Sequence, residues 1–207
     1  MTNLEPGKYY HIYNRGVNRC NLFYTNENYR YFLRLYGKYI DPVADTYAWV
    51  LLKNHFHLLV RIKEESEINF SRLPIPKKAL SEDVQVALKK PHLYFSDLFN
   101  AYSQAINKQE NRTGSLFQRP FRREHVDNPD YFRHVVVYIH RNPVRHKFST
   151  DFKDYAWSSY GTILSLHSNK IQSEKVIGWF NGKGEFINDH DQELDTDVFD
   201  RYIIDDF

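Results

Sequence analysis

The spacing of apolar residues along this chain predicts strands and helices in a definite order. Runs with the two-residue period of strands cover residues 8–15, 46–53, 55–62 and 115–126. Apolar residues three and four positions apart, typical of amphipathic helices, run through residues 26–40 and 94–110. The order β-α-β-β-α-β predicts an α+β fold, a ferredoxin-like antiparallel sheet with its helices on one face.

Proline and capping residues predict where these elements begin and end. Asn26 is expected to cap the first helix, and Asp41-Pro42 to end it. The polar residues 63–91, which include three prolines, predict a long connection before the second helix. Pro120 has no backbone N–H, so the last strand is expected at a sheet edge or at a bulge.

A third helix is predicted over Asp130–Asn142. Asn128-Pro129 supplies a capping residue and a proline at the first helical position, and Pro143 is expected to end the helix. The apolar side, predicted to be buried, consists of Phe132, Val135, Val136 and Ile139. The opposite side carries His134, Tyr138 and Asn142, which are four residues apart and therefore share a face. Taken alone, this face is most simply explained as polar surface.

Two histidines on the third strand are the strongest candidates for chemistry. His55 and His57 flank Phe56, so the alternation of a strand places both imidazoles on one face. Their backbone positions are ~6.6–6.8 Å apart, which lets both rings reach one metal ion. Two solvent-facing histidines would produce the same pattern, so the pair alone does not decide between these interpretations.

Composition limits the class of protein. The 207 residues are 42% hydrophobic, 26% charged and 16% aromatic, which is typical of a globular chain with one substantial core. The single cysteine, Cys20, excludes an intramolecular disulfide and suits a reducing cytoplasm. The sequence has no signal-like leader and no apolar run long enough to span a membrane. We therefore expect a cytoplasmic protein that makes no contact with membranes.

Charge is distributed unevenly along the chain. Residues 1–150 carry a net charge of +9 and residues 151–207 a net charge of −7. A basic body rich in Tyr, Phe and Arg has the charge for phosphates and the flat rings for unpaired bases. A solvated surface followed by an acidic tail accounts for the same distribution.

Several motifs together resemble one known family. His55-Phe56-His57 on a strand is followed by Tyr138-Ile139-His140-Arg141-Asn142-Pro143-Val144-Arg145 on a helix. Tyr10-His11-Ile12-Tyr13-Asn14-Arg15-Gly16 near the start and Gly114-Ser115-Leu116-Phe117-Gln118 agree with them. In this order they resemble the single-tyrosine HUH transposases, and most closely their REP-associated tyrosine transposase branch. The resemblance covers roughly residues 8–187.

The resemblance implies a metal-dependent endonuclease and strand-transferase that cuts and rejoins single-stranded DNA beside hairpins. It implies that Tyr138 is the nucleophile and forms a 5′-phosphotyrosine. His55, His57 and Asn142 are the implied metal ligands, and two imidazoles with a neutral amide oxygen suit Mg²⁺ or Mn²⁺. A tetrahedral zinc site with the two histidines stays open, although the sequence offers no thiolate for it. The candidate DNA-binding residues are Arg15, Arg19, Arg112, Arg119, Arg122 and Arg123.

Other interpretations stay open at this point. Residues 1–150 are predicted to form the nuclease domain, and residues 151–207 an extension whose aromatic part packs on the body before an acidic tail begins at Asp189. Behind the leading transesterase interpretation stand two alternatives, a hairpin-binding protein without turnover and a phosphoesterase that acts through activated water. The sequence does not decide between a monomer and a homodimer.

Overall fold

The computed structural model describes residues 3–74, 88–166 and 170–192. Its strands are β1 (Tyr9–Arg15), β2 (Ala44–Leu52), β3 (His55–Ile62) and β4 (Arg122–Val126). Its helices are α1 (Asn26–Tyr39), α2 (Pro91–Gln109), α3 (Pro129–Arg145), α4 (Tyr160–Ser165), α5 (Ser173–Trp179) and α6 (Lys183–Asp191). Among the described residues, no helix is both long enough and apolar enough to cross a membrane.

The strands form one sheet in the order β2-β3-β1-β4, and every neighbouring pair is antiparallel. The predicted hairpin of β2 and β3 turns at Lys53-Asn54. β1 lies between β3 and β4, so the first strand of the chain is central and β4 is an edge strand. This confirms the predicted α+β fold with an antiparallel sheet.

Each face of the sheet has its own apolar core. On one face, Ile12 and Phe56 pack with α1 and α2, the two helices of the β-α-β-β-α-β unit. On the other face, Val50 and Leu59 pack with α3 and with residues of α4, α5 and α6. Because side chains alternate along a strand, a residue's position in β1 or β3 decides which core it meets. The two predicted helices share a face, and α3 covers the opposite one.

Two helix starts differ from the prediction. The residue that caps α1 is Thr25, not Asn26, because Thr25 and Asn28 form a reciprocal capping box. α2 begins at Pro91, which the sequence analysis assigned to the connection, because proline is favoured in the first turn of a helix. Within the connection, Glu65–Glu67 and Phe70–Arg72 form short 3₁₀ turns. Its residues 75–87 lie outside the described residues.

The last strand is shorter than predicted. β4 covers Arg122–Val126 only, and the preceding residues 115–121 are not part of the sheet ladder. That segment instead makes one isolated bridge, Gly16 to Phe117, and the Gln118 N–H donates to the Arg15 carbonyl. Pro120 cannot donate a ladder hydrogen bond, so pairing begins after it, on an edge strand as predicted.

The third helix is longer than predicted. Asn128 caps it, its side chain accepting a hydrogen bond from the Tyr131 N–H at 2.8 Å, and Pro129 is in the first turn. Pro143 does not end α3, which continues to Arg145. A proline removes only its own N–H, and the final turn is closed by the His146 N–H donating to the Asn142 carbonyl at 3.0 Å.

The aromatic segment after residue 150 packs on the body, as predicted. Tyr160, Ile163 and Phe180 are buried in the α3-side core. Trp157 reaches the other core, where its ring stacks on Tyr29 with centroids 4.5 Å apart. α6 extends the packed region to Asp191, beyond the predicted start of the tail at Asp189. Residues 193–207 lie outside the described residues, and the division of the chain at residue 150 stays a prediction.

Candidate active site

β3 presents its two histidines to α3. His55 and His57 lie on the α3 side of the sheet, whereas Phe56 and Leu58 between and beside them belong to the α1–α2 core. Their exposures are 3% and 0%, so both imidazoles are buried rather than solvent-facing. The two ring centroids are 5.3 Å apart.

α3 brings the predicted nucleophile and the predicted amide ligand to the same place. Tyr138 and Asn142 are both fully buried against the sheet, which excludes their interpretation as polar surface. The Tyr138 ring lies edge-on to His57, with centroids 5.3 Å apart. Asn142 Oδ1 is 3.4 Å from His55 Nε2. The structure therefore brings together all four residues, and their chemical roles stay predictions.

The hydrogen bonds around His55 fix which of its nitrogens carries the proton. Burial, with His146 and Arg15 nearby, lowers the pKa of His55 to about 3, so the ring is neutral at pH 7. Its Nδ1 lies 2.7 Å from Asn54 Oδ1, an atom that only accepts, so Nδ1 must donate. His55 Nε2 is then left with a lone pair that faces Asn142.

The orientation of the Asn142 amide is fixed in the same way. Asn142 Nδ2 donates to the Tyr138 carbonyl at 3.2 Å, which turns Oδ1 toward His55. Two lone-pair atoms, His55 Nε2 and Asn142 Oδ1, thus face each other at 3.4 Å. Neutral acceptors repel weakly at this distance, and a cation that binds both removes the repulsion.

His57 has a partner that the sequence analysis did not predict. His11 Nε2 lies 3.0 Å from His57 Nδ1, and the two rings are stacked with centroids 5.1 Å apart. Burial lowers the pKa of His11 to about 3 and that of His57 well below its ordinary value, so one neutral ring donates to the other. If His57 Nδ1 donates, the lone pair of His57 Nε2 can coordinate a metal.

The environment of Tyr138 disfavours its ionised form. Burial raises the pKa of Tyr138 to about 12, while a hydrogen bond with the Asn142 side chain and the charge of Arg145 act in the opposite direction. At pH 7 the phenolate is then roughly one part in a hundred thousand. The Arg145 guanidinium lies 5.6 Å from the centre of the Tyr138 ring and is itself exposed.

Three residues at this site were not among the predicted site residues. His11 shares the α3-side face of β1 with Tyr13, whose ring is 5.5 Å from that of His57. Arg145 and His146 follow Tyr138 by two helical turns, and the His146 ring is 4.7 Å from that of His55. Strand alternation could have indicated His11. Helical spacing from Tyr138 could have indicated the other two, but only if α3 was taken to continue past Pro143.

The six predicted DNA-binding arginines do not form one group. Arg15 is paired with His55 across the sheet, and Arg122 lies in a row with Tyr13 and His57, so both are on the α3 side. Arg123 points to the opposite face and is 9% exposed, with its guanidinium 5.0 Å from the Phe121 ring. The remaining three lie away from the sheet, at Arg19, Arg112 and Arg119.

These three arginines differ in their contacts. Arg19 is exposed in the turn after β1. Arg112 donates to Cys20 Sγ at 3.5 Å, and Arg119 donates to Asn100 Oδ1 at 3.4 Å. The structure therefore gathers Arg15 and Arg122 near the histidines and leaves the other four elsewhere.

The donor set can be tested against the metal that the resemblance implies. In the described part of the chain, no group of three or more His, Cys, Asp or Glu side chains is placed to hold a metal ion. His55 and His57 supply two such side chains, and only the amide of Asn142 adds a third donor. The fixed acceptor orientation of His55 Nε2 and Asn142 Oδ1 fits a divalent cation with several positions left for other ligands.

Comparison with known proteins supports the fold. No protein-family model and no curated protein sequence matches the chain. A solved REP-associated tyrosine transposase bound to a REP hairpin aligns with a TM-score of 0.54 and 18% identity, over 80% of this chain and 83% of that one. A bacterial tRNA(His) guanylyltransferase-like protein in complex with GTP aligns with a TM-score of 0.39 and 9% identity, over 74% of this chain and 72% of that one. The first alignment shows a common fold, and the second is too weak to carry an argument.

Proposed function

We propose that this protein is a transposase-like single-strand DNA transesterase that cuts and rejoins DNA beside hairpins through Tyr138. The observation that carries the proposal is the pair of acceptors, His55 Nε2 and Asn142 Oδ1, oriented toward each other next to the tyrosine. The Tyr138 ring is 5.3 Å from that of His57, so the hydroxyl-bearing residue lies beside this pair. This arrangement suits a site in which a cation and a phosphate meet a hydroxyl.

The proposed reaction exchanges one phosphodiester for another. The Tyr138 oxygen attacks a backbone phosphorus, the bond from phosphorus to the 3′ oxygen breaks, and the proton of the phenol ends on the released 3′-hydroxyl. The enzyme then carries a 5′-phosphotyrosine, and attack by a 3′-hydroxyl reverses the step. Because the bond energy is retained, rejoining needs no nucleotide cofactor.

His55, His57 and Asn142 would hold the metal, Mg²⁺ or Mn²⁺. When bound, such an ion polarises the phosphate and stabilises the charge that develops on its oxygens. Arg145, over the Tyr138 ring, favours the ionised phenol, whose pKa burial otherwise raises to about 12. Arg15, paired with His55 across the sheet, would contact a phosphate of the same DNA strand.

The proposed partner is single-stranded DNA that contains a REP-like hairpin. The support is the shared fold with a transposase that was solved bound to a REP hairpin, together with the excess of basic residues in positions 1–150. The protein is proposed to act as a monomer or as a homodimer. The single cysteine leads us to expect a reducing, cytoplasmic location.

A second candidate function has its own support. Tyr138 is 0% exposed, and a nucleophile must reach the phosphate that it attacks. A protein that binds hairpins without cutting them would have no need to expose this hydroxyl. Transesterification therefore requires that the Tyr138 hydroxyl becomes accessible when DNA binds, whereas hairpin binding alone does not.

One experiment separates the two candidates. The purified chain is incubated with a library of single-stranded genomic hairpins and Mn²⁺ or Mg²⁺, and DNA covalently attached to protein is isolated and mapped by mass spectrometry. We expect an adduct on Tyr138 that depends on the metal ion. Tyr138→Phe keeps the ring and removes the hydroxyl, so hairpins should still bind while the adduct disappears.

The outcomes are distinct. Binding of hairpins without any adduct in the unaltered chain supports the binding protein and rejects the transesterase. An adduct of undiminished amount in Tyr138→Phe, mapped to another tyrosine, rejects Tyr138 as the nucleophile. Released phosphate-ended products without an adduct would instead point to activated water.

A further inference from the structure

A cavity lies on the face of the sheet opposite to Tyr138. It has a volume of about 520 Å³ and lies between α2 and residues 115–123. Its wall includes Arg123, which pairs with Ile12 of β1 and therefore faces the α1–α2 core. His11 and Tyr13, the neighbours of Ile12, face the α3 side instead. The cavity is therefore separate from the histidine site.

The cavity contains a buried cation without a counter-charge. Arg123 is 9% exposed, and among the described residues its Nε and Nη1 have no hydrogen-bond partner. Its guanidinium lies 5.0 Å from the Phe121 ring, and burial lowers its pKa below the ordinary value. Within residues 3–74, 88–166 and 170–192, no aspartate or glutamate belongs to the cavity wall. Burying an unpaired charge costs free energy, so an anion that enters the cavity is stabilised by pairing with the Arg123 guanidinium.

The rest of the wall suits a flat ring. Phe99 lies 5.0 Å from Phe117 and 5.4 Å from Phe121 between ring centroids, the first pair tilted and the second edge-on, so that three phenylalanine rings line the cavity. Arg119 and the side-chain amide of Asn100 lie at the same wall, 3.4 Å apart. Aromatic faces with a cation and amides are the chemistry that binds an unpaired nucleotide.

We propose that this cavity binds one unpaired nucleotide of the DNA strand, its phosphate on Arg123 and its base against the phenylalanine rings. The proposal rests on the proposed function for its occupant, since it takes DNA as the source of the nucleotide. An anion is favoured over a neutral base edge on Arg123 because only an anion compensates the buried charge. The cavity adds an anchor for the single strand on the face away from the nucleophile.

The test uses mononucleotides, so that it does not depend on catalysis. Binding of the four deoxynucleoside 5′-monophosphates and of inorganic phosphate is measured by calorimetry on the full chain carrying Tyr138→Phe, without divalent metal. We expect every mononucleotide to bind more tightly than inorganic phosphate, and Arg123→Leu to weaken mononucleotide binding about tenfold or more. Arg34→Leu makes the same change of charge at an exposed position on α1 and should leave the affinity unchanged.

Thermal unfolding distinguishes binding from a structural role. Removing an uncompensated buried charge should leave the melting temperature of Arg123→Leu equal to or above that of the parent. A clear fall in melting temperature, or unchanged mononucleotide affinity in Arg123→Leu, overturns the proposal. Equal affinity for inorganic phosphate and mononucleotides overturns its base-binding part. If mononucleotides bind through Arg123 but the unaltered chain forms no covalent adduct on Tyr138, nucleotide binding in the cavity is supported and the transesterase is rejected.

Discussion

At the scale of single residues, the site is defined by where three imidazole protons lie. His55 must donate from Nδ1 because Asn54 Oδ1 only accepts, so its Nε2 has a lone pair for a metal. His57 has the same property only if it donates to His11. We propose that His11 is a positioning residue: by accepting from His57 Nδ1 it would select the tautomer of His57 without touching the proposed metal.

Substitutions at His11 test this role. His11→Phe keeps a ring in the buried position and removes the acceptor, so Mn²⁺ affinity should fall by about 10–100-fold, the usual cost of losing such a partner. His11→Gln retains an acceptor and should recover part of the loss. Tyr13→Phe, on the same face of β1, is the matched control. Calorimetry that gives equal Mn²⁺ affinity for His11→Phe and the parent would show that the contact does not tune the ligand.

Substitutions of the proposed ligands should rank in a definite order. His57→Ala and His55→Ala each remove an imidazole and are expected to abolish cleavage and to weaken Mn²⁺ binding strongly. Asn142→Ala should cost less, because a neutral amide is the weakest donor of the three and water can replace it. Calorimetry and adduct yield measure the two effects. Unchanged Mn²⁺ affinity in His57→Ala would count decisively against a metal at this site.

The sequence predicted the four residues of the candidate site but not that their side chains are fully buried. Strand alternation put His55 and His57 on one face, and helical spacing put Tyr138 four residues before Asn142. Neither pattern tells which side of a helix meets a sheet when both sides are buried, as in α3. The polar side was therefore assigned to the surface, and the burial that raises the pKa of Tyr138 to about 12 was not foreseen.

At the scale of elements, α3 is joined to α6 and β2 by hydrogen bonds between buried side chains. A chain of hydrogen bonds runs from the Trp49 N–H to Ser159 Oγ at 2.9 Å, from Ser159 to His140 Nε2 at 2.8 Å, and from His140 Nδ1 to His190 Nε2 at 2.8 Å. It ends where His190 Nδ1 donates to the Phe186 carbonyl at 2.6 Å. Every donor has one acceptor only if both imidazoles are neutral. The chain joins β2, α3 and α6 beside the proposed nucleophile.

This arrangement predicts a dependence of stability on pH. Burial lowers the pKa of His190 from 6.5 to about 4, with smaller effects from the Phe186 carbonyl and the nearby Asp189, Arg141 and Asp191. The unfolded chain binds the proton more tightly, so this contribution is present above pH 6.5 and is lost as pH falls toward 4. Its upper limit is about 3 kcal/mol, since each pKa unit corresponds to about 1.4 kcal/mol.

Thermal unfolding as a function of pH tests the prediction. The melting temperature should fall between pH 6.5 and pH 4 in the parent chain and fall less in His190→Phe, which cannot take up the proton. Phenylalanine suits this pocket, because the Phe186 ring already lies 4.2 Å from the imidazole. His190→Phe should be less stable than the parent at pH 7, since His140 loses its acceptor. The same pH slope in both proteins would exclude His190 as its source.

Element boundaries were predicted less well than element order. Pro143 was taken as the end of α3 because the residue before a proline disfavours helix, yet buried packing of α3 outweighs that local preference. β4 was predicted too long because residues 115–121 have strand-like composition. In the structure this segment instead pairs only through the isolated bridge between Gly16 and Phe117. Long-range contacts decide both cases, and no short-range pattern contains them.

At the scale of the whole molecule, charge divides the chain into a basic body and an acidic end. Two carboxylates of that end are already paired with cations, one in the body and one in the end itself. Asp189 accepts from Arg133 at 2.6 Å, and Asp191 lies 2.7 Å from Lys153. The acidic tail proper therefore begins after α6, and residues 193–207 contain six carboxylates against the single cation Arg201.

Deleting residues 193–207 tests whether this tail competes with DNA for the basic body. The truncated chain keeps α6 and the His140–His190 contact, so the fold should be retained. If the tail competes, the truncated protein should bind single-stranded hairpins more tightly at low salt, with a steeper loss of affinity as salt rises, because more counterions are then released on binding. A solvated tail without such a role predicts equal affinity and an equal salt slope for both proteins. Replacing the six carboxylates by their amides in the full-length chain is the matched control, because it removes the charge and keeps the length; it should reproduce the effect of the deletion if electrostatic competition is the cause.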